Sequence, residues 1–462
     1  MNPDRTRDFP TKKALLWLCV LELACGMLAI VLGPPAVFLP IALAIMFVSF
    51  IWPRAGLQIL VISWFFPYAL SESMGLFPAD LVLFCTAGGY TAKSLALGRW
   101  PVRKTPLNLW ILLWVAALLT SALFALDLPM ALKNWLRHVQ LFLLFYTIVG
   151  LVEKADIRNT VGTFLGLCLT FSPWNIFEFV RAGGAIRAFG PAHVLFSGFL
   201  ALAGTFATAA FLFADSARER TLWAFALCVL VGGQMANESR GAMIQMVSGM
   251  LFATGMAYRW SRMHKFETIR RRIASLLVVG AIAAIVVLLV AAPLVTNVLV
   301  RYSSQEGNPH ATAQMRLFLW SSALRMFVQH PFFGVGLAQQ DVLGEILPFM
   351  KYNPLYLHVR GLGFHNSMIG YLAETGIVGS VLLFMLLVAA LRVGRGLLPR
   401  MRDPHQAMWL VGIWSIVFVI VTRYLYEGHI FYSVSGMITV TFFAFLIALR
   451  RQWESIVPPE SR

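Results

Sequence analysis

Three arginines and one histidine stand out in this chain by type and setting. Arg240 lies in Ser239-Arg240-Gly241, Arg187 in the glycine-containing stretch from Gly183 to Pro191, and Arg316 on a helix-like segment. His365 opens His365-Asn366, just after Gly361 and Gly363. A guanidinium is permanently charged and matches carboxylate or phosphate in a two-pronged fashion. Arg240 precedes a glycine at the start of an apolar run, where free helix N–H groups add to its pull on an anion. An imidazole, with an unperturbed pKa of about 6.5, accepts a proton at neutral pH. Fixed cations beside such a base suit a reaction that builds negative charge on a leaving group and takes a proton from a nucleophile. Each arginine has a plainer reading, that of a side chain snorkelling to lipid headgroups, and Arg181 and Arg301 are read that way. His358 and Glu374 are alternative proton acceptors near His365.

Arg316 is the cation hardest to assign to a headgroup. At 100° per residue, Gln314, Ser321, Ser322, Arg325 and Gln329 share one face of a helix over 313–329. Arg316 falls opposite, among Leu319, Trp320, Ala323 and Phe327, where a charge needs an anionic partner. A carboxylate and a bound phosphate both satisfy that requirement. No metal site is expected. Cys19, Cys25, Cys85, Cys168 and Cys228 lie in apolar runs without ligand spacing, and Asp80, Glu238, Glu374 and Glu427 are isolated from one another.

These residues must be held by membrane-spanning helices. Of the 462 residues 59% are hydrophobic and 13% charged, with a mean hydropathy of +0.75, which excludes a soluble enzyme. Apolar windows fall near 14–32, 35–52, 56–70, 77–97, 108–126, 132–151, 159–180, 192–213, 221–235, 241–258, 273–299, 365–392, 407–424 and 428–449. Three of them, 56–70, 77–97 and 221–235, are short or interrupted, so the expectation is an all-α polytopic membrane protein with 12–14 transmembrane helices. With a cytoplasmic N-terminus, the inner segments and adjoining helix ends carry 26 of the 37 Lys and Arg against 10 acidic residues, so the entire +16 falls on that side. The basic balance is then a topology and headgroup signal, with no nucleic-acid partner implied. Arg187, Arg240, Arg316 and His365 all fall on the opposite side. The division expected is an N-terminal bundle over 1–299, one large outer loop over 300–364, C-terminal transmembrane helices over 365–449 and a cytoplasmic tail over 450–462.

Several short blocks occur in order: Ser239-Arg240-Gly241, Arg316 to Trp320, His330-Pro-Phe-Phe-Gly334-Val-Gly336, Gly363-Phe-His365-Asn366 and Glu374-Thr-Gly376-Ile-Val-Gly379. With this topology the chain resembles the O-antigen ligase and polymerase superfamily of bacterial inner-membrane proteins, over roughly residues 185 to 380. The resemblance implies a GT-C type helical bundle with one large periplasmic loop, multi-pass in the inner membrane, with both termini cytoplasmic and the active site periplasmic. It implies a glycosyltransferase of polysaccharide or lipopolysaccharide biosynthesis. Such an enzyme moves a glycan from undecaprenyl diphosphate to an acceptor hydroxyl, with no metal, no cofactor and no nucleotide sugar. The family's essential residues carry over to Arg240, Arg316 and His365, with Arg187 matched less closely; Asn366 and Glu374 are added here as substrate-binding. His365 is read as the general base or as a hydrogen-bond partner of the diphosphate.

Within the superfamily the choice is between a ligase, with lipid A-core as acceptor, and a polymerase, with another lipid-linked repeat. The single His-Asn block after one large outer loop favours the ligase. Enzymes of protein O-glycosylation look similar. A polysaccharide-lipid transporter would also be many-spanned and basic, but its unusual polar groups would lie at midplane in repeated halves.

Overall fold

The computed structural model describes residues 35–65, 78–182, 193–237, 239–276, 278, 280, 309–339, 343–348, 364–424 and 433–456. All regular structure among them is helical: fourteen α-helices and one 3-10 turn at Leu398–Arg400. Each expected span that falls within these residues is a helix. The span at 14–32 and most of that at 273–299 lie outside them.

The chain divides into two compact units, residues 1–103 with 146–163, and residues 104–145 with 164–462. The first holds α1 (Pro35–Ile51), α2 (Pro53–Ser63) and α3 (Pro78–Ala96). Proline at the first turn of α2 has no N–H to leave unpaired and fixes the helical φ. Arg54 bridges Glu153 at 2.5 Å and Asp156 at 3.6 Å, while the Gln58 amide donates to Thr160 at 2.8 Å and accepts from Thr163 at 3.0 Å.

The second unit comprises α4 (Asn108–Leu123), α5 (Leu128–Leu151) and α6 (Lys154–Arg181), whose residues 146–163 belong to the first unit. It continues with α7 (His193–Phe213), α8 (Ala217–Asn237), α9 (Arg240–His264), α10 (Pro309–Gln329), α11 (Leu343–Ile346), α12 (Ser367–Leu397), α13 (Pro404–Arg423) and α14 (Ser433–Ile456). Among the described residues, five segments are long and apolar enough to cross a membrane: Lys154–Arg181, Leu195–Phe213, Ser367–Arg400, Pro404–Arg423 and Val434–Trp453. The protein is therefore a multi-pass helical membrane protein.

Its surface has the polarity a lipid solvent requires. Ile244, Val247 and Leu251 form an exposed apolar stripe on α9, as do Ile377, Val381 and Phe384 on α12. Thr205, Thr208, Ser415 and Thr441 are instead fully buried. Thr205, Thr208 and Ser415 satisfy their hydroxyls on the carbonyl four residues earlier, those of Ala201, Gly204 and Val411. Small residues let the helices approach closely: a methyl added at Gly249 would strike Thr205 and Val419, and one at Gly412 would strike Phe206.

Candidate functional site

The direction of each helix in the second unit follows from who meets whom. Phe252 of α9 stacks on Phe418 of α13 at 4.1 Å, and the Trp260 indole donates to the Met401 carbonyl at 2.6 Å. Thus α9 and α13 are antiparallel, and Arg240, the first residue of α9, lies toward the end of α13 that carries Arg423 and Tyr424. Helix α7 joins them with its N-terminal part at that same end, because Gly198 faces Arg423 while Phe206 meets Trp409 at 5.2 Å. The Met368 N–H donates to the Tyr424 carbonyl at 3.2 Å, which brings the start of α12 there as well.

Helix α10 is bound to α12 along its length. The Trp320 indole donates to the Phe364 carbonyl at 3.0 Å, one residue before His365. Arg316 lies one turn earlier on α10. Leu319, Ala323 and Met326 of α10 pack with Val335, Leu347, Phe364 and Ala373 into a buried apolar cluster beneath this end. Arg316, His365, Arg423 and the first residue of α9 are therefore carried to one end of the second unit. The side chain of Arg240 lies outside the described residues, as does all of Arg187.

The amphipathic pattern expected for 313–329 is realised, with two corrections. Ser322, expected among the polar face, is buried and donates to the Phe318 carbonyl at 2.6 Å. Arg316 is exposed, so burial does not oblige it to hold an anion: the helix turns Leu319, Ala323 and Met326 inward and leaves the guanidinium at the rim. Its charge is accessible to a ligand at that rim.

His365 is exposed and takes a left-handed backbone, φ 51°, a conformation open to few residue types with a side chain, histidine and asparagine among them. Asn366 then starts α12 as its N-cap, its side chain accepting from the Ile369 N–H at 3.1 Å. The imidazole is thus presented at the mouth of a capped helix, on a backbone fixed by Trp320 before it and Tyr424 after it.

Helix α12 is broken nearly three turns further on, at Gly376 (φ 62°, ψ −165°). The carbonyls of Ala373 and Glu374, which continuing helix would use, accept instead from the Val335 and Gly336 N–H groups, each at 3.0 Å. In return the Ile377 and Val378 N–H groups donate to the Pro331 and Phe332 carbonyls at 2.8 and 3.3 Å. The loop after α10 is thereby laced into the break. A methyl on Gly334 would collide with the Glu374 backbone, one on Gly336 with Ala125, and one on Gly376 with the Phe332 carbonyl. Glu374 is 3% exposed, its carboxyl accepts from the Ala338 N–H at 3.1 Å, and its carbonyl also accepts from the Ser121 hydroxyl at 2.5 Å.

Two residues near this end are not evident from sequence. His138 of α5 is buried; its Nδ1 lies 2.7 Å from the Asn134 carbonyl and its Nε2 3.1 Å from the Tyr371 hydroxyl of α12. A carbonyl only accepts, so Nδ1 carries the proton and Tyr371 donates to Nε2. Arg423 terminates α13 among apolar residues, and a single sequence does not say that it points inward. Among the described residues, no three His, Cys, Asp or Glu side chains gather as a metal site.

Comparison with known proteins meets this same region. Residues 225–384 match the family model described as O-antigen ligase. The matched residues hold the Ser-Arg-Gly, Arg316, His-Asn and Glu-Thr-Gly blocks. Over 140 residues the chain is 31% identical to the exopolysaccharide production protein ExoQ of Rhizobium meliloti (strain 1021). The match covers 28% of this chain and 32% of that relative, so the chain spans about a third of the relative's length.

Proposed function

We propose that this protein is a membrane glycosyltransferase. In this reading it takes a glycan from undecaprenyl diphosphate and joins it to an acceptor hydroxyl on the periplasmic face, as an O-antigen ligase acting on lipid A-core. The observation that carries the reading is the convergence, within the family-matched residues, of Arg316, His365 and the start of α9 at one end of the second unit.

The chemistry follows from those groups. The acceptor oxygen attacks the anomeric carbon, and the bond from that carbon to the diphosphate oxygen breaks with its electron pair passing to the diphosphate. Arg240 and Arg316, with Arg187 as a third ligand, stabilise the charge that develops there. His365 accepts the hydroxyl proton. Asn366 and Glu374 serve substrate binding through the backbone they fix, Asn366 at the start of α12 and Glu374 at its break. A single displacement inverts the anomeric centre, and product stereochemistry by NMR would overturn the step if configuration were retained. The proposed architecture is a GT-C bundle of 12–14 spans in the bacterial inner membrane, its site facing the periplasm.

A relative named for exopolysaccharide production favours a second reading, a polymerase that uses another lipid-linked repeat as acceptor. Purified full-length protein, lipid-linked donor and each acceptor in turn separate the two. His365→Asn keeps the left-handed backbone while removing the base, and we expect a loss of transfer of about 10²-fold or more. Undiminished transfer in that variant and in Arg240→Ala would end the enzymatic role of these residues.

A further inference from the structure

A cavity of about 20 Å³, room for one water-sized group, lies in the second unit at the end described above. Its polar lining comes from three helices: Gln245 of α9, Arg423 of α13, and Ser435 and Thr439 of α14. Gln245 is 1% exposed and Thr439 2%, so this is an interior site and not a surface dimple. Gly198 of α7 and the apolar side chains of Phe199, Leu202, Val419, Ile420 and Ile438 make the rest of the wall, and a methyl added at Gly198 would lie 3.0 Å from the Arg423 Nη1. The absent side chain is what gives the guanidinium its place. A positive charge in the last turn of α13 is favoured by the helix dipole. That preference alone would be met by an exposed lysine. It does not account for a half-buried guanidinium set over a glycine, with a carboxamide and two hydroxyls around an oxygen-sized space.

We propose that Arg423 is a further ligand of a lipid-borne phosphate, receiving a phosphoryl oxygen of the donor diphosphate at this cavity. The inference rests on the function proposed above. Arg423 ends the helix whose next carbonyl, that of Tyr424, holds the start of α12, two residues beyond Asn366. Gln245 is little more than one turn along α9 from Arg240. The donor's charged group would thus be held between the helix end that presents His365 and the one that begins with Arg240. The source of the phosphate is the lipid-linked donor, and an ordinary anionic headgroup offers the same chemistry.

The test uses the full chain in phosphatidylcholine nanodiscs, titrated with undecaprenyl diphosphate and, in a second arm, with phosphatidylglycerol. Arg423→Ala should weaken undecaprenyl diphosphate binding by about tenfold or more, Arg423→Lys by less, because the charge stays but the fork is lost. Gly198→Ala should weaken it about threefold by displacing the guanidinium, in keeping with tight packing at that site. Phosphatidylglycerol binding should not change. Wild-type affinity for undecaprenyl diphosphate in Arg423→Ala overturns the proposal, and so does a parallel loss for phosphatidylglycerol, which would make Arg423 a general headgroup anchor. Should Arg423→Ala fail to fold, wild-type affinity in both Arg423→Lys and Gly198→Ala overturns it equally. A wild-type protein that shows no saturable binding of undecaprenyl diphosphate defeats the proposed function itself, a different result from loss of Arg423's part in it.

Discussion

Helices α7, α9 and α13 meet as unbroken cylinders, whereas α12 is completed by a loop from elsewhere in the chain. In the first region the backbone satisfies itself, and glycines such as Gly249 and Gly412 only shorten the distance between axes. In the second, four inter-segment hydrogen bonds replace the ladder at Gly376, and Gly334, Gly336 and Gly376 each hold a positive φ. The difference teaches how to read the sequence blocks. His330-Pro-Phe-Phe-Gly-Val-Gly and Glu-Thr-Gly are the two halves of one backbone joint, while Ser-Arg-Gly and His-Asn mark helix starts where charge and imidazole are presented.

This comparison can be broken by substitution. The largest effect is expected at Gly376→Val, which combines a disfavoured backbone with a collision against the Phe332 carbonyl. We expect a destabilisation of about 3–5 kcal/mol, seen as lost thermal stability in detergent. Gly249→Ala crowds Thr205 and Val419 but strains no dihedral, so about 1–3 kcal/mol is expected in the same measurement. Equal tolerance at the two sites would erase the distinction between joint and cylinder. Ser121→Ala removes one donor to the Glu374 carbonyl, which retains the Gly336 N–H, and should cost about 1 kcal/mol. Trp320→Phe deletes the indole donor to the Phe364 carbonyl. At about 1 kcal/mol or less, its mark should be a several-fold loss in glycan transfer with little change in melting, because it acts on the backbone that aims His365.

Much of this fold is legible in the sequence, since apolar run length and charge placement are local signals. The helix expected over 313–329 is present as Pro309–Gln329, and the segments expected at 35–52, 108–126 and 407–424 are helical as α1, α4 and α13, of which α13 alone is long and apolar enough to cross a membrane. The interruption of α12 is not legible in the same way. Its residues keep an apolar helical pattern from Ser367 to Leu397, and nothing in periodicity reports that two carbonyls find donors some forty residues upstream. The paired glycines at 334 and 336 and the one at 376 are the available signal, but they read equally as turns. Arg423 and His138 escape for another reason. Whether a polar group at the end or middle of a span turns inward depends on the rotation of its helix against neighbours, and that emerges only from packing.

The exchange of hydrogen bonds at Gly376 also bears on how the chain reaches its native state. Hydrocarbon offers no substitute partners, so the broken conformation of residues 373–378 keeps its amide and carbonyl groups paired only with residues 331–336 beside it. Synthesis supplies those residues first, by the direction of translation. A circularly permuted gene that reversed their order should therefore lower the yield of folded protein, because the break would be made before its partners.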